Sequence, residues 1–185
     1  MLVGMIGAPG AGKTTLALGI TLELKKRGYP AIYLEEYATR HILLHGIDEM
    51  TVQHQEAIER EQTRLEVAYN DEDRIVICDS SLWLNHFYMC RLLGQKDYYA
   101  SNAEYLKQHY GLLFYVPPNG KSRGAVGRLP EHQCKGEQAG IDRDIHRMCI
   151  ENGIEYQGVK ASEVREAVNV ILGSLDYYEW MGRRA

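Results

Sequence analysis

A chain of 185 residues with a formal charge of -4 is long enough to bury a full core and has no overall pull toward nucleic acid or anionic membrane. Its 45% apolar and 25% charged residues are ordinary for one globular domain spanning 1–185, which excludes disordered and fibrous classes. Four scattered cysteines without a C-x-x-C pair exclude a zinc knuckle or a disulfide framework and fit reduced thiols. Met1 to Ile6 is too short, and lacks the basic leader, for a signal peptide, and no apolar run reaches the ~18 residues of a membrane span. The expected place of action is the cytoplasm, that of a host cell if the protein is viral, with no membrane partner.

Leu2 to Ile6 is a continuous apolar run ended by glycine, which predicts a buried strand. Thr14 to Arg27 carries Leu16, Ile20 and Leu24 on one helical face and stops at Gly28. A second strand is expected over 31–34, a helix over 38–46 and a long polar helix over 51–70. A third buried strand spans 74–78, followed by helices over 82–93 and 100–109. A fourth strand covers 111–116 and is stopped by Pro117-Pro118. From about 117 to 140 the chain turns to Gly, Lys, Arg and Pro, long for a plain connection and read as a lid. A helix over 141–152, a fifth strand over 154–159 and a last helix over 162–172, capped by Ser162, complete the chain. The alternation predicts a three-layer α/β fold with a parallel five-stranded sheet.

The stretch Gly7-Ala8-Pro9-Gly10-Ala11-Gly12-Lys13-Thr14-Thr15 sits between the first strand and the first helix. It has no side chains to fill a core, so the backbone itself must be the functional part. Gly7-x-x-x-x-Gly12-Lys13-Thr14 matches the phosphate-binding loop, whose N–H groups turn inward around an anion at a helix N-terminus. Lys13, expected to face the ligand with no part in the core, supplies a charge to the outer phosphates, and Thr14 a hydroxyl for Mg²⁺. The fold class is therefore a P-loop NTPase with a basic lid insertion, using ATP and Mg²⁺. No N-K-x-D guanine reader occurs. The third strand ends in a single acid, Asp79, where AAA-type and motor ATPases carry a pair. Asp79 stands at the carboxyl end of a strand neighbouring the loop, where ligands bind in open α/β sheets, and is the expected Mg²⁺ holder.

Glu36-Tyr37-Ala38-x-Arg40, Gln55 to Glu66, Ile77-Cys78-Asp79-Ser80 and Gly153-Ile154-Glu155-Tyr156 come in an order that resembles the nucleoside and nucleotide kinase group. The likeness runs over most of the chain and is strongest to the kinase domain of nicotinamide riboside kinases and their phage relatives; the core is of the thymidylate-kinase type. The resemblance implies that Glu36 accepts the proton of the acceptor hydroxyl, with Glu35 as the alternative if the strand register slips by one. Arg40 and Arg60 are candidates to border the acceptor pocket, and Tyr37, Trp83, Phe87 and Tyr88 to stack a base, although an aromatic stripe at helical spacing is more often core. Lid residues Lys121, Arg123 and Arg128, and Arg143 and Arg147 beyond it, are candidates for the transferring phosphoryl group or an acceptor's phosphates, Arg128 foremost. His41 and His45 share a helix face with no third ligand expected nearby, so no metal site is read there.

Relatives place a short acidic segment with one arginine after the fourth strand, whereas this chain has Lys121-Ser122-Arg123-Gly124 and Gly127-Arg128. The Glu36-Tyr37-Ala38 and Cys78-Asp79-Ser80 arrangement also resembles compact phage kinases that act on the 5-hydroxymethyl group of 5-hydroxymethyluracil in DNA, a step toward hypermodified thymidine, and with the lid departure and the compact size this resemblance ranks that acceptor first. A free nucleoside, nicotinamide riboside or nucleoside monophosphate ranks second. A non-catalytic, nucleotide-switched binding module is the more distant alternative. A monomer or a homodimer fits equally.

Overall fold

The computed structural model describes residues 1–46, 49–70, 73–94, 103–118 and 136–182. In chain order the elements are β1 (Leu2–Ile6), α1 (Lys13–Lys26), β2 (Ala31–Leu34), α2 (Tyr37–His45), α3 (Val52–Tyr69), β3 (Ile75–Cys78) and α4 (Leu82–Leu93). Then follow α5 (Ala103–His109), β4 (Leu112–Tyr115), α6 (Gly136–Glu151), β5 (Gln157–Gly158) and α7 (Val164–Gly182). The five strands form one parallel sheet in the order β2-β3-β1-β4-β5, as the alternation predicts.

The central strands are apolar throughout because helices cover both faces, and every residue of β1 and β3 is buried. Successive side chains of β1 divide between the two layers. Val3 and Met5 pack with Leu16, Ile20 and Leu24 of α1 and Val168 and Ile171 of α7. Leu2 and Ile6 pack with Trp83 and Phe87 of α4 and with Ile145 and Met148 of α6. Truncating one such wholly buried residue, as in Ile20→Ala, costs roughly 2–5 kcal/mol.

The boundaries differ from expectation where tertiary contacts decide them. β5 keeps only two residues of the expected 154–159, because β4 offers it just the Phe114↔Gln157 and Tyr115↔Gly158 pairings. Ile154 packs into the core before the strand begins. Ser162 does not cap α7: Glu163 stands at that position and its carboxylate accepts the Lys160 N–H at 2.9 Å. The helix runs beyond Leu172 because Leu175 prolongs the stripe of Val168, Ile171 and Leu172 against α1. Among the described residues no helix is long and apolar enough to cross a membrane.

The register sets the position of the site. Cys78 lies beside both Gly4 of β1 and Leu34 of β2. The residues that follow these strands, the glycine-rich loop, Glu35-Glu36 and Asp79, therefore leave the sheet at one edge.

Candidate active site

Gly7 leaves β1 with φ 149°, and a Cβ there would lie 2.5 Å from the Val116 carbonyl oxygen. Only glycine fits, because Val116 is tied to the loop by its own N–H, which donates to Ile6 O at 2.9 Å. Ala8 and Ala11 are wholly buried, whereas Pro9 and Gly10 form an exposed crown. Gly12 heads α1 in the left-handed region, and no acid stands in that helix's first turn to offset its positive end. Lys13 is 9% exposed, not open as expected: its Nζ donates to the carbonyls of Gly7 at 2.9 Å and Ala8 at 3.2 Å. The ammonium thus sits within the loop's own curve. Thr14 is half-buried and Thr15 exposed.

The Asp79 carboxylate is 3% exposed. It is hydrogen-bonded to the Thr14 side chain and receives the Tyr33 hydroxyl at 2.9 Å. Burial, and then the charge of Glu36, push its carboxyl above the usual carboxylate range, with Thr14, Tyr33 and Lys13 pulling the other way. Burial and Asp79 push the Tyr33 hydroxyl well above its ordinary value, so Tyr33 remains a donor at neutral pH. A hydroxyl beside a carboxylate is an oxygen donor set suited to Mg²⁺, which takes one or two protein oxygens and completes its shell with phosphate and water. Among the described residues no three His, Cys, Asp or Glu side chains could cage a metal ion.

Glu36 precedes α2 without capping it, and its carboxylate accepts the Thr39 hydroxyl at 2.8 Å. Its charge is felt at both Asp79 and Tyr33. Glu35 is exposed and acts on Tyr33 but is not among the groups shifting Asp79. Of the two acids, Glu36 is the one whose charge acts on Asp79.

The other predicted residues divide. Tyr37 is half-buried in the first turn of α2, and its N–H donates to Gln62 at 3.0 Å. Arg40 and Arg60 are exposed, Arg40 within the field of Glu61. Of the two readings of Trp83, stacking ring or core, the structure takes the core: it is 0% exposed and packs with Leu106, Tyr110 and Ile154. It also borders a cavity of about 510 Å³ lined by Lys107, Tyr110, Leu113 and Tyr156. Arg143 is exposed, while Arg147 approaches Asp144 at 3.8 Å, an acid already paired with Arg91 at 3.1 Å. Lys121, Arg123 and Arg128 lie outside the described residues, as does most of the expected lid.

His54 adds a third imidazole to His41 and His45, its ring 5.8 Å from that of His41, contrary to the expectation of none nearby. Burial, and then His45 and His54, lower the His41 pKa, which favours the neutral form of that ring.

Two contacts escaped the sequence reading. Tyr33 reads as one more residue of a half-buried strand, and only the pairing with β3 brings its hydroxyl to Asp79. Gln138 of α6 donates to the Pro9 carbonyl at the crown of the loop. Its sequence position, inside the expected lid, gave no signal of that.

Comparison with known proteins gives the family and the fold. A family model described as an AAA domain matches residues 2–166, and the chain belongs to that family. The single acid ending β3 therefore does not separate the chain from the AAA name, contrary to the reading of that strand. No curated protein matches the sequence. Among solved structures, a NadR protein in complex with NR superposes with a TM-score of 0.64 at 16% identity, covering 92% of this chain. The chain spans only 50% of that protein. A deoxyadenosine kinase from M. mycoides, with products dCMP and dCDP bound, superposes at 0.56 with 17% identity, over 96% of this chain and 100% of its own. The same kinase with bound dCTP gives 0.51 at 18% identity. At these identities the likeness is one of fold, that of P-loop kinases.

Proposed function

From this family membership and these kinase folds we infer that the chain is an ATP-dependent kinase that moves the γ-phosphoryl group of ATP to a hydroxyl of a nucleoside. The observation that carries the reading is the hydrogen-bonded Thr14–Asp79 pair beside the glycine-rich loop, with Glu36, at the start of α2 after the neighbouring strand, close enough for its charge to act on Asp79.

In this reading the loop N–H groups and the α1 N-terminus hold the phosphates, and Lys13 turns from the Gly7 and Ala8 carbonyls to the outer phosphates. Thr14 and Asp79 hold Mg²⁺, which supplies charge neutralisation for the phosphate oxygens. Tyr33 fixes one Asp79 oxygen by its hydroxyl. Glu36 takes the proton of the acceptor hydroxyl, a role open to a carboxylate that is half-buried yet not enclosed. Tyr37 and Arg40 border the acceptor on α2.

The acceptor is assigned to the nucleoside class because the full-length match, end to end, is to a deoxyadenosine kinase. A 5-hydroxymethyluracil in DNA is the second reading, favoured by the Lys/Arg-rich stretch Lys121 to Arg128. The test is γ-labelled ATP with Mg²⁺ against deoxynucleosides, nicotinamide riboside, nucleoside monophosphates, ordinary DNA and a 5-hydroxymethyluracil oligonucleotide. Label on a free nucleoside is the expected result. Label on the oligonucleotide alone replaces the nucleoside with DNA, and ATP binding with no transfer to any acceptor leaves a nucleotide-switched binding module.

A further inference from the structure

Glu66, in the fourth turn of α3, is 0% exposed and far along the chain from either acid of the site. Its carboxylate is the hub of a buried polar chain. Oε1 accepts Gln62 Nε2 at 2.9 Å, and Oε2 accepts the Tyr110 hydroxyl at 2.6 Å with His109 Nε2 at 2.9 Å from the same oxygen. The two arms end on helix N-termini. Through Gln62, whose Oε1 accepts the Tyr37 N–H at 3.0 Å, the first arm reaches the residue after Glu36. Through the Tyr110 hydroxyl, which accepts the Leu82 N–H at 2.7 Å, the second reaches the start of α4, three residues after Asp79. Tyr110 can make this crossing because Gly4 of β1 lies beneath its ring; a Cβ there would stand 2.8 Å from the ring edge.

Both arms satisfy donors that each helix would otherwise leave to its own residues. Neither Glu36 nor Ser81, the residues in the capping positions, caps its helix by its side chain. We propose that Glu66 is a positioning residue for the phosphoryl-transfer site: its carboxylate fixes the polarity of the Gln62 amide and the Tyr110 hydroxyl, which hold the α2 and α4 N-termini and so set Glu36 and Asp79 relative to each other. The proposal rests on the kinase reading for its functional half, while the polarity of the hydrogen-bond chain is testable without it.

The polarity makes a sharp test. In Glu66→Gln every arrangement of the two amides leaves at least one buried donor without an acceptor, at Gln62, at Tyr37 or at the Tyr110 hydroxyl. The exchanged pair Gln62→Glu with Glu66→Gln keeps the same groups and net charge and satisfies every bond again. The carboxylate moved to position 62 would accept from the Tyr37 N–H and from the amide moved to position 66, whose own oxygen would accept from Tyr110 and His109. Two readouts apply: hydrogen exchange at the Tyr37 and Leu82 amides, compared with Ile77 in the core, and transfer from γ-labelled ATP to deoxyadenosine per bound ATP. Glu66→Gln should speed exchange at both amides by roughly tenfold or more and lower kcat by a similar factor, with KM for ATP within about twofold. The exchanged pair should restore both. Equal exchange and kcat in Glu66→Gln and the parent, or an exchanged pair as impaired as the single variant, overturns the proposal. If Glu66→Gln does not fold, an exchanged pair that folds supports it and one that does not overturns it. A parent that phosphorylates none of the acceptors overturns the kinase reading, and exchange alone then decides the polarity.

Discussion

The Tyr33 hydroxyl donates to Asp79 Oδ2 at 2.9 Å, joining neighbouring strands at the edge where the glycine-rich loop begins. It supplies one of the few hydrogen bonds offsetting the burial of a carboxylate that is 3% exposed and near Glu36. The pairing thus stabilises the charged form that a cation needs.

That carboxyl, raised above the usual range by burial and by Glu36, binds a proton in the folded chain that the unfolded chain has released. Its contribution to stability is present below the unfolded value and lost as pH rises through the folded one. Asp79→Asn should therefore gain in Tm relative to the parent between pH 4 and pH 7, by roughly 2–4 °C for each kcal/mol relieved. Thermal melts across that range check the sign, and a gap that narrows with pH contradicts it. Turnover should fall about 10²-fold or more, while ATP without Mg²⁺ binds nearly as before.

Lys13→Met keeps the aliphatic stem in its buried position and removes the ammonium that bonds the Gly7 and Ala8 carbonyls. Phosphoryl transfer should drop by at least about 10²-fold, with a far-ultraviolet spectrum like the parent's. Parent-like turnover in the folded variant contradicts the role given to Lys13.

Glu36→Gln should slow transfer by roughly 10²–10⁴-fold and leave ATP affinity within a few-fold. Glu35→Gln, on the exposed neighbour, should stay within about threefold of the parent. Comparing the two under single-turnover conditions decides which acid acts, and a larger loss in Glu35→Gln reverses the assignment.

Gly7→Ala places a methyl group 2.5 Å from the Val116 carbonyl at a φ of 149°. A cost of about 1–3 kcal/mol in stability is expected, together with loss of ATP binding as β1 and the strand end at Val116 are forced apart. Chemical denaturation and isothermal titration with ATP measure the two losses. Ala8→Gly, at a buried position without that collision, is the milder control.

The sheet was legible because Leu2 to Ile6, Ile75 to Cys78 and Leu112 to Tyr115 are short apolar runs between turn residues, and alternating helices force parallel pairing. The loop was legible because its backbone geometry, with Gly7, Gly10 and Gly12 at positive φ, is what glycine spacing records. The placement of Asp79 and Glu36 at one edge of the sheet was legible by position, since both closely follow strands. Tyr33, Gln62, Glu66 and Tyr110 were not legible, because each matters through a partner distant in sequence, and a buried Glu in a polar helix looks like one more solvated acid. Trp83 stayed open between core and stacking ring for the complementary reason: sequence records an aromatic ring at helical spacing, not the face it turns inward.

The placement of β1 at the centre of the sheet has a consequence for the order of assembly. Leu2 pairs with Val76 and Val3 with Leu112, so β1 has no partner in the sheet until β3 and β4 have followed it. The glycine-rich loop is braced later still, by Val116 and by Gln138. Besides local bonds such as those of Lys13 to Gly7 and Ala8, the contacts that shape it come from residues more than a hundred positions away, which makes its bracing slow relative to helix formation. A nascent chain halted before Leu112 should form α1 and α3 yet fail to retain ATP, and should acquire binding only as α6 emerges. The element that announces itself first in the sequence is among the last to take shape.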